Sequence, residues 1–299
     1  MQNIAIVVPT IRPESMKRFE KDWKPLFKKH DARIIVVWDG EIPYVGEFLW
    51  KWQEKPIHSK SLAKDIMGKY ASCLTNFNAG IRNLGFAYVA KYLTQIEYII
   101  TLDDDEKPIG DPIQDHIDAL NMRVPISWMS TASEYTRGFP YGIREEAEVV
   151  LSHGVWEGVA DWDAPTQLVL GSKREISFPK MPIPKGIYYP MCSMNLAFKR
   201  KMLPYIFHAP KALGLARNND IMAGILSKRE IDKHGWAAVT GYARVLHERE
   251  SNVFKNLQNE AREIELYESF WQGNESDPYF KIYRKKLKTW QEFIKTCKI

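Results

Sequence analysis

The sequence predicts an α/β fold, in which helices flank an open and mostly parallel sheet. Short apolar runs such as Ile4–Val8 and Tyr98–Leu102 alternate with amphipathic helical stretches through the first half of the chain. Strands separated by helices need crossover connections, which favour parallel pairing. From Val253 onward the pattern is helical. We therefore expect one catalytic domain over residues 1–252 and a C-terminal helical extension over residues 253–299 that packs on it.

The elements of the first half follow one another in a regular order. β-branched runs bounded by polar residues indicate strands, and apolar residues at helical spacing indicate helices. The order is a strand at Ile4–Val8, a helix at Ser15–Lys29, a strand at Arg33–Trp38, a helix at Cys73–Tyr92, a strand at Tyr98–Leu102, a helix at Pro112–Asn121 and a strand at Ile126–Met129.

The second half is less regular. The stretch Thr131–Pro190 is rich in Gly, Pro and Trp and has weak periodicity, which is typical of binding loops and lids. Beyond it we predict helices at Lys199–Phe207 and Ile221–Lys233, then short strands at Ala237–Val239 and Ala243–His247.

Composition narrows the class of protein. A net charge of +5, without a basic stripe interleaved with aromatics, suits anionic small molecules and argues against nucleic acid as a partner. The three cysteines, Cys73, Cys192 and Cys297, lack metal-ligand spacing, which argues against a zinc site and favours a reducing compartment. With no signal-peptide pattern and no apolar run of membrane-spanning length, we expect a cytoplasmic protein without an integral membrane segment.

Three consecutive carboxylates, Asp103, Asp104 and Asp105, end the third predicted strand. Alternate side chains of a strand share a side, so Asp103 and Asp105 can point together at its carboxyl end, where open α/β sheets bind ligands. Two hard oxygen donors there suit Mg²⁺ or Mn²⁺ gripping a phosphate. The alternative is an acidic turn with solvated charges.

The other strand ends are also polar. Pro9, Thr10 and Arg12 follow the first strand, and Asp39 follows the second. Arg12 can neutralise a phosphate or simply cap the next helix, and Asp39 can bind a ribose or base or simply form an Asp-Gly turn. Polar residues thus follow all three predicted strands at the same edge of the sheet, which indicates a nucleotide site there.

A series of motifs along residues 4–260 resembles the reversibly glycosylated polypeptide family, which includes the UDP-arabinopyranose mutases of plants. The most specific pair is Ser-His-Gly-Val-Trp at 152–156 with Asp-Trp-Asp-Ala-Pro-Thr-Gln at 161–167. The others are Val-Pro-Thr-Ile-Arg at 8–12, Leu-Asp-Asp-Asp at 102–105, Arg-Gly-Phe-Pro at 137–140, Met-Asn-Leu-Ala-Phe at 194–198, Asp-Ile-Met-Ala-Gly at 220–224, and His247 followed by Ser251-Asn252.

The resemblance implies a GT-A-like, Rossmann-type nucleotide-sugar-binding sheet, a UDP-sugar ligand and a Mn²⁺ or Mg²⁺ cofactor. Family members interconvert the pyranose and furanose forms of a UDP-bound sugar and become glycosylated on an arginine. Arg137 is our first choice for that arginine and Arg144 the second; phosphate clamping or an ion pair is the alternative for each. The resemblance also suggests a homo-oligomer or a hetero-oligomer with homologues.

The candidate residues fall into three roles. Asp220 is a candidate for the base or the nucleophile. Asp161 and Asp163 can bind sugar hydroxyls or act as the base, or they can simply order their loop. His247 can complete the metal shell or be an ordinary histidine. The metal set is Asp103, Asp105 and His247; the nucleotide-sugar set is Pro9, Thr10, Arg12, Asp39, Arg82, Asp104, His153 and Trp156; the catalytic set is Asp220, Asp161, Asp163, Arg137 and Arg144.

One departure from the family pattern lies near the predicted sugar. Plant members carry two adjacent aspartates where this chain has Asn219-Asp220. The resemblance as a whole nevertheless implies a metal-dependent UDP-sugar mutase, with UDP-arabinose as the reference substrate. The alternatives are a glycosyltransferase with a separate acceptor and a non-catalytic UDP-sugar-binding partner of an active homologue.

Overall fold

The strands of the protein build one mixed sheet. A computed structural model describes residues 3–40, 57–74, 78–129, 135–173, 179–209, 217–261 and 263–297. Within these residues the strands are β1 (Ile4–Thr10), β2 (Arg33–Trp38), β3 (Ile57–His58), β4 (Tyr98–Leu102), β5 (Glu106–Ile109), β6 (Arg123–Val124), β7 (Ala147–Gly158), β8 (Met181–Ile183), β9 (Asn195–Lys199) and β10 (Ala237–His247).

The order across the sheet is β3-β2-β1-β4-β9-β7-β10-β5, with β6 paired to β7 and β8 paired to β10. β1 is parallel to β2 and to β4, as predicted. β9 is antiparallel to both β4 and β7, and β7 is parallel to β10. The sheet is therefore mixed, yet β1, β4, β7 and β10 all run in one direction and end at the same edge.

Helices cover both faces of this sheet. In the described residues they are α1 (Pro13–Lys29), α2 (Ser59–Met67), α3 (Arg82–Tyr92), α4 (Pro112–Leu120), α5 (Ala164–Leu170), α6 (Asn219–Lys233), α7 (Val253–Glu260), α8 (Ile264–Trp271) and α9 (Pro278–Thr296). Single 3₁₀ turns lie at Gly68–Cys73, Ala79–Ile81, Tyr141–Ile143 and Arg200–Met202.

The first crossover unit follows directly from its sequence. α1 begins at Pro13, whose fixed φ and missing N–H suit the first helical position, and its last turn carries Lys28 and Lys29. Its buried residues Phe19, Trp23 and Phe27 recur every four positions and stack on one another. They form the apolar stripe that packs on the sheet.

Two apolar cores lie on the two faces of the sheet. Alternation along β1 sends Ala5 and Val7 into one core and Ile4, Ile6 and Val8 into the other. The first core also holds the buried residues of α3 and α9, and the second holds those of α1 and α4.

Two predictions of secondary structure before residue 130 are wrong. The predicted helix Cys73–Tyr92 begins only at Arg82, because the Asn78 carboxamide accepts the N–H of Gly80 and starts a separate 3₁₀ turn. The predicted strand at Ile126–Met129 is not formed; the strand β6 ends before Pro125, which has no N–H to donate to a ladder.

Two further predictions fail in the second half. The supposedly irregular middle contains β7, a twelve-residue strand at the centre of the sheet. The predicted helix Lys199–Phe207 is the end of β9 and one 3₁₀ turn. Pro204 prevents its continuation, since it lacks the N–H that a helix interior needs.

The C-terminal helices pack on the α/β core. Tyr279, Tyr283, Trp290 and Phe293 are buried in the first core, and the indole N–H of Trp290 donates to the Leu203 carbonyl over 2.8 Å. These aromatic residues therefore serve internal packing, whereas Trp271 is 64% exposed. The domain boundary at residue 252 stays a prediction. None of the described helices combines the length and the apolar character that crossing a bilayer requires.

Gly224 provides a test of the packing that places α6. A Cβ atom at this position would lie 2.2 Å from the backbone oxygen of Met191. Alanine normally stabilises a helix interior relative to glycine by about 0.5–1 kcal/mol. We predict instead that Gly224→Ala lowers the free energy of unfolding by about 1–3 kcal/mol, because the backbone of α6 or of Met191 must shift to admit the methyl group. Urea denaturation measures this difference.

The control is Gly142→Ala, since a Cβ there meets nothing within 4 Å. Its free energy of unfolding should stay near that of the wild type. A Gly224→Ala variant as stable as the wild type would show that α6 does not press on the Met191 backbone.

Candidate functional site

A cavity of about 280 Å³ lies where β1, β4, β7 and β10 end. Arg12 reaches it from beyond β1, Asp103 and Asp105 from beyond β4, Asp161 from beyond β7, and His247 from the end of β10. The start of α6 closes another side with Arg217, Asn218, Asp220 and Ile221. Of the three strand ends expected to meet, those of β1 and β4 contribute residues to the cavity, together with β7 and β10, which the sequence did not reveal as neighbours. Asp39, after β2, is not among the lining residues.

A buried arginine holds the first aspartate of the cluster. Arg82, at the start of α3, is 4% exposed and donates from Nε to the Thr101 hydroxyl over 2.9 Å. Its Nη2 is paired with Asp103 Oδ1. The Asp103 N–H donates to the Glu106 carboxylate over 2.9 Å, which fixes the turn after β4. Burial, with Asp103 and Asp105 nearby, raises the pKa of Glu106 well above its usual range.

The third aspartate is held by two arginines. Asp105 Oδ2 lies 3.0 Å from Arg12 Nη2 and 3.3 Å from Arg249 Nη1. Asp103 and Asp105 thus face the same cavity while each carboxylate is paired with cationic side chains. The negative charges of Asp103 and Asp105 repel each other, and the paired arginines offset that repulsion.

Asp104 does not line this cavity, and its predicted contact with ribose or sugar stays a prediction. It is 3% exposed; the Thr10 hydroxyl donates to Oδ2 over 2.5 Å, and Arg12 Nε donates to the same oxygen over 3.2 Å. Burial raises the pKa of Asp104 against these hydrogen bonds, which lower it. The chain turns after Leu102, which directs this side chain inward and makes it the anchor of Arg12.

The same cavity holds a second acidic pair, Asp161 and Asp220. Burial raises the pKa of Asp220 to about 6, and the neighbouring Asp161 carboxylate adds to the shift. Burial also raises the pKa of Asp161. Asp220 Oδ2 accepts the Ser193 N–H over 3.3 Å, and Asp161 is hydrogen-bonded to Cys192. The predicted base and its partner are therefore together in the cavity.

His247 lines the cavity with a defined tautomer. Its Nδ1 lies 3.0 Å from the Val159 carbonyl oxygen, which can only accept. Nδ1 therefore carries the proton, and in the neutral ring Nε2 presents a lone pair. A backbone carbonyl orients metal-binding imidazoles in the same way.

Three side chains predicted to contact the sugar do not line the cavity and have other partners in the structure. Asp163 is exposed and caps α5, accepting the Thr166 N–H over 2.9 Å. His153 is buried within β7 and bonded to the Thr240 hydroxyl at 3.1 Å; burial lowers its pKa to about 3. Trp156 is buried in the second apolar core. The last two lie within a central strand, not a loop.

The two candidate arginines for glycosylation do not line the cavity. The Arg144 guanidinium lies over the rings of Tyr135 at 4.1 Å and Tyr141 at 3.9 Å, and Nη2 donates to the Phe139 carbonyl over 3.1 Å. Arg137 is an exposed residue of a neighbouring turn. Their roles in glycosylation stay predictions.

The nucleotide contacts expected near β1 and β2 are compatible with their positions. Pro9 and Thr10 end β1, and Asp39 directly follows β2, where it is 4% exposed. The Asp39 N–H donates to the Thr10 carbonyl over 2.9 Å, which ties the two strand ends together. Binding of ribose or base by Asp39 stays a prediction.

Two arginines of the cavity were missed from the sequence. Arg249 lies just beyond β10, so the rule that polar residues at strand ends line the site would have found it. Arg217 lies before α6 and carried no such signal, because only tertiary contacts bring it to the cavity.

Comparison with known proteins agrees with this geometry. The sequence model of the family described as "Reversibly glycosylated polypeptide" matches residues 1–281. The chain belongs to this family. It is 32% identical over 294 residues to UDP-arabinopyranose mutase 3 of Arabidopsis thaliana, covering 92% of this chain and 76% of that one. It is 31% identical over 307 residues to probable UDP-arabinopyranose mutase 4 of the same plant, covering 94% and 81%.

A solved structure shares the fold of this family member. Glucosyl-3-phosphoglycerate synthase from Mycobacterium tuberculosis, in complex with Mn²⁺ and uridine-diphosphate-glucose, superposes with a TM-score of 0.52 at 14% identity, covering 92% of this chain and 81% of that one. This likeness confirms the predicted GT-A-type fold.

The raised pKa of Asp220 predicts how pH changes stability. In the unfolded chain its pKa is near 3.8, so between about pH 4 and 6 the folded state holds a proton that the unfolded state has lost. Stability therefore falls as pH rises through this window. Asp220→Asn removes the charge. We predict that it raises the free energy of unfolding at pH 8 by about 1–2 kcal/mol. This is less than the free energy that corresponds to the whole pKa shift, because the side chain is partly exposed and solvent screens its charge.

Urea denaturation of both proteins between pH 8 and pH 4 measures this gain, which should vanish toward pH 4. The matched control is Asp163→Asn at the exposed cap of α5, which should give no gain with this pH dependence. A constant difference between Asp220→Asn and wild type across the range would contradict the buried acidic pair.

Proposed function

We propose that this protein is a metal-dependent UDP-sugar mutase that interconverts the pyranose and furanose forms of a UDP-bound sugar, with UDP-arabinose as the reference substrate. The observation that carries the proposal is one cavity that joins Asp103, Asp105 and His247 to Asp161 and Asp220. The first group suits a nucleotide diphosphate with its cation, and the second suits proton transfer at a sugar. The names of the plant relatives support the same activity.

Asp103, Asp105 and His247 would hold the divalent cation. Their donors are two carboxylates and the imidazole of His247, which lines the cavity and whose Nδ1 is already engaged, a set that suits Mn²⁺ or Mg²⁺. No group of three acidic, histidine or cysteine side chains is gathered as a ready cage in the part of the chain that the structure describes. A preformed cage is not required, because such cations in nucleotide sites take one or two carboxylates and complete their shell with phosphates.

The bound cation would supply positive charge to the departing diphosphate. Arg12 and Arg249 lie beside Asp105 and would add to that charge on the same side of the cavity. In their present contacts these arginines also keep the aspartate cluster neutralised, so the carboxylates stay in place before the nucleotide arrives.

The sugar chemistry requires a proton to be moved. Converting the pyranose to the furanose breaks the bond of C1 to the ring oxygen O5 and forms a bond of C1 to O4, while a proton passes from O4 to O5; the bond of C1 to the diphosphate breaks and re-forms. Asp220 would take the proton from O4 and return it to O5, because a carboxyl with a pKa near 6 exchanges protons readily near neutral pH. Asp161 would orient the sugar hydroxyls beside it.

The rest of the expected biology follows the family resemblance. UDP-sugar is the proposed ligand, and self-glycosylation at Arg137 or Arg144 and assembly into homo- or hetero-oligomers stay predictions. The runner-up activity is sugar transfer to a separate acceptor, which the shared fold of the mycobacterial synthase favours.

The direct test incubates the purified protein with UDP-arabinopyranose and Mn²⁺ and follows the products by chromatography. We predict a UDP-arabinofuranose peak that disappears with EDTA. Asp105→Asn should lower turnover by about 100-fold or more, because it removes a charged ligand at the diphosphate. Asp163→Asn, at the exposed cap of α5, should keep turnover near that of the wild type.

Unchanged turnover of Asp105→Asn would refute the metal assignment. Release of free UDP only when an acceptor is present would support the transferase instead of the mutase. Metal-dependent binding of UDP without turnover of any UDP-sugar tested would support a non-catalytic partner.

A further inference from the structure

Arg217 differs from the other arginines of the cavity in its partner. Of the three arginines that line the cavity in the described ranges, Arg12 and Arg249 contact Asp105, whereas Arg217 donates from Nε to Glu260 Oε1 over 2.5 Å. Its side chain is about a quarter exposed, 24%. It lines the same cavity as Asp103, Asp105 and Asp161, and its charge acts to lower the pKa of Asp161.

Glu260 comes from the C-terminal helices and joins two segments of the cavity wall. It is the last residue of α7 and is 6% exposed. While Oε1 accepts from Arg217, Oε2 accepts the Ala164 N–H over 2.6 Å, just beyond the loop that carries Asp161. A buried carboxylate with two such donors is fixed in place, and it fixes the guanidinium in turn.

The backbone around Arg217 is held by a second buried glutamate. Glu263 is 2% exposed and accepts the N–H of Arg217 over 3.1 Å and that of Asn218 over 3.3 Å. The Tyr267 hydroxyl donates to the Asn218 carbonyl over 2.7 Å. Both the backbone and the side chain of Arg217 are therefore set by residues that follow position 252.

We propose that Arg217 binds the diphosphate of the nucleotide sugar and that Glu260 is its positioning residue, so that the C-terminal helices complete the binding site. The inference rests on the proposed function, because it takes a nucleotide diphosphate as the ligand. The Nε–H of Arg217 is engaged by Glu260, so the planar fork presents its two terminal amino groups, which suit phosphate oxygens. The aspartates of the cavity would repel a diphosphate. Arg217, which Glu260 holds in place, would counteract that repulsion.

The test compares the affinities of UDP and uridine for the full-length protein in the presence of Mn²⁺, by calorimetry for UDP and by NMR titration for uridine. We expect Arg217→Gln to weaken UDP binding about tenfold or more and to leave uridine binding within about twofold, because uridine has no phosphate. Glu260→Gln should weaken UDP binding about three- to tenfold. A uridine affinity close to that of the wild type shows that the nucleoside site of a variant is folded.

A double variant separates positioning from a general structural role. If Glu260 acts through Arg217, Arg217→Gln with Glu260→Gln should bind UDP about as well as Arg217→Gln alone. The matched controls are Arg244→Gln and Glu157→Gln, which break an exposed ion pair of 2.8 Å outside the cavity. Both should bind UDP like the wild type.

Two results would overturn the inference. UDP affinity unchanged by Arg217→Gln would remove the diphosphate contact, and losses that add fully in the double variant would remove the positioning role of Glu260. These results can be told apart from a failure of the mutase proposal. If the wild type binds UDP through Arg217 but forms no furanose, only the mutase activity is refuted. Wild type that does not bind UDP would refute both.

Discussion

Three adjacent carboxylates at the end of a buried strand repel one another, and the site is organised by the arginines that neutralise them. Arg82 enters from α3 to Asp103, while Arg12 enters from beyond β1 to Asp104 and Asp105. These contacts join a helix, a strand end and a turn that are distant in sequence. Because the strands end at one edge, the same arrangement that relieves the repulsion also forms the wall of the cavity.

The second acidic pair of the cavity has a different electrostatic character. Burial and their mutual repulsion raise the pKa values of Asp220 and Asp161, although nearby arginines oppose the shift. The first three aspartates are therefore neutralised by ion pairs, whereas Asp161 and Asp220 are suited to proton exchange. Ring contraction of a nucleotide sugar requires both, which is why the geometry supports this reaction as well as the family membership does.

The sequence predicted local patterns well and long-range partners poorly. β1, α1, β2 and β4 were predicted correctly because apolar periodicity and bounding polar residues are local signals. β7 was missed because its Ser152 and His153 are buried polar residues. Their partners, His116 and Thr240, come from α4 and β10, and no local pattern reveals them. These buried polar residues interrupt the apolar periodicity of the strand, and their hydrogen bonds are satisfied inside the sheet.

The same distinction applies to the site. Asp103, Asp105, Arg12, Asp161, Asp220 and His247 were expected and are brought together in the cavity, since each lies at or near an element end. Asp104, His153 and Trp156 were assigned to ligands but are anchored in the interior. Arg217 was missed because its position depends on Glu260 and Glu263, more than forty residues later in the chain.

The account depends most directly on where a cation sits when the nucleotide is bound. A crystal structure of the protein with UDP and Mn²⁺, using the anomalous signal of manganese, measures this. We predict one manganese peak about 2 Å from carboxylate oxygens of Asp103 or Asp105 and from the diphosphate. A UDP molecule bound without manganese, or a manganese peak away from the end of β4, would contradict the account.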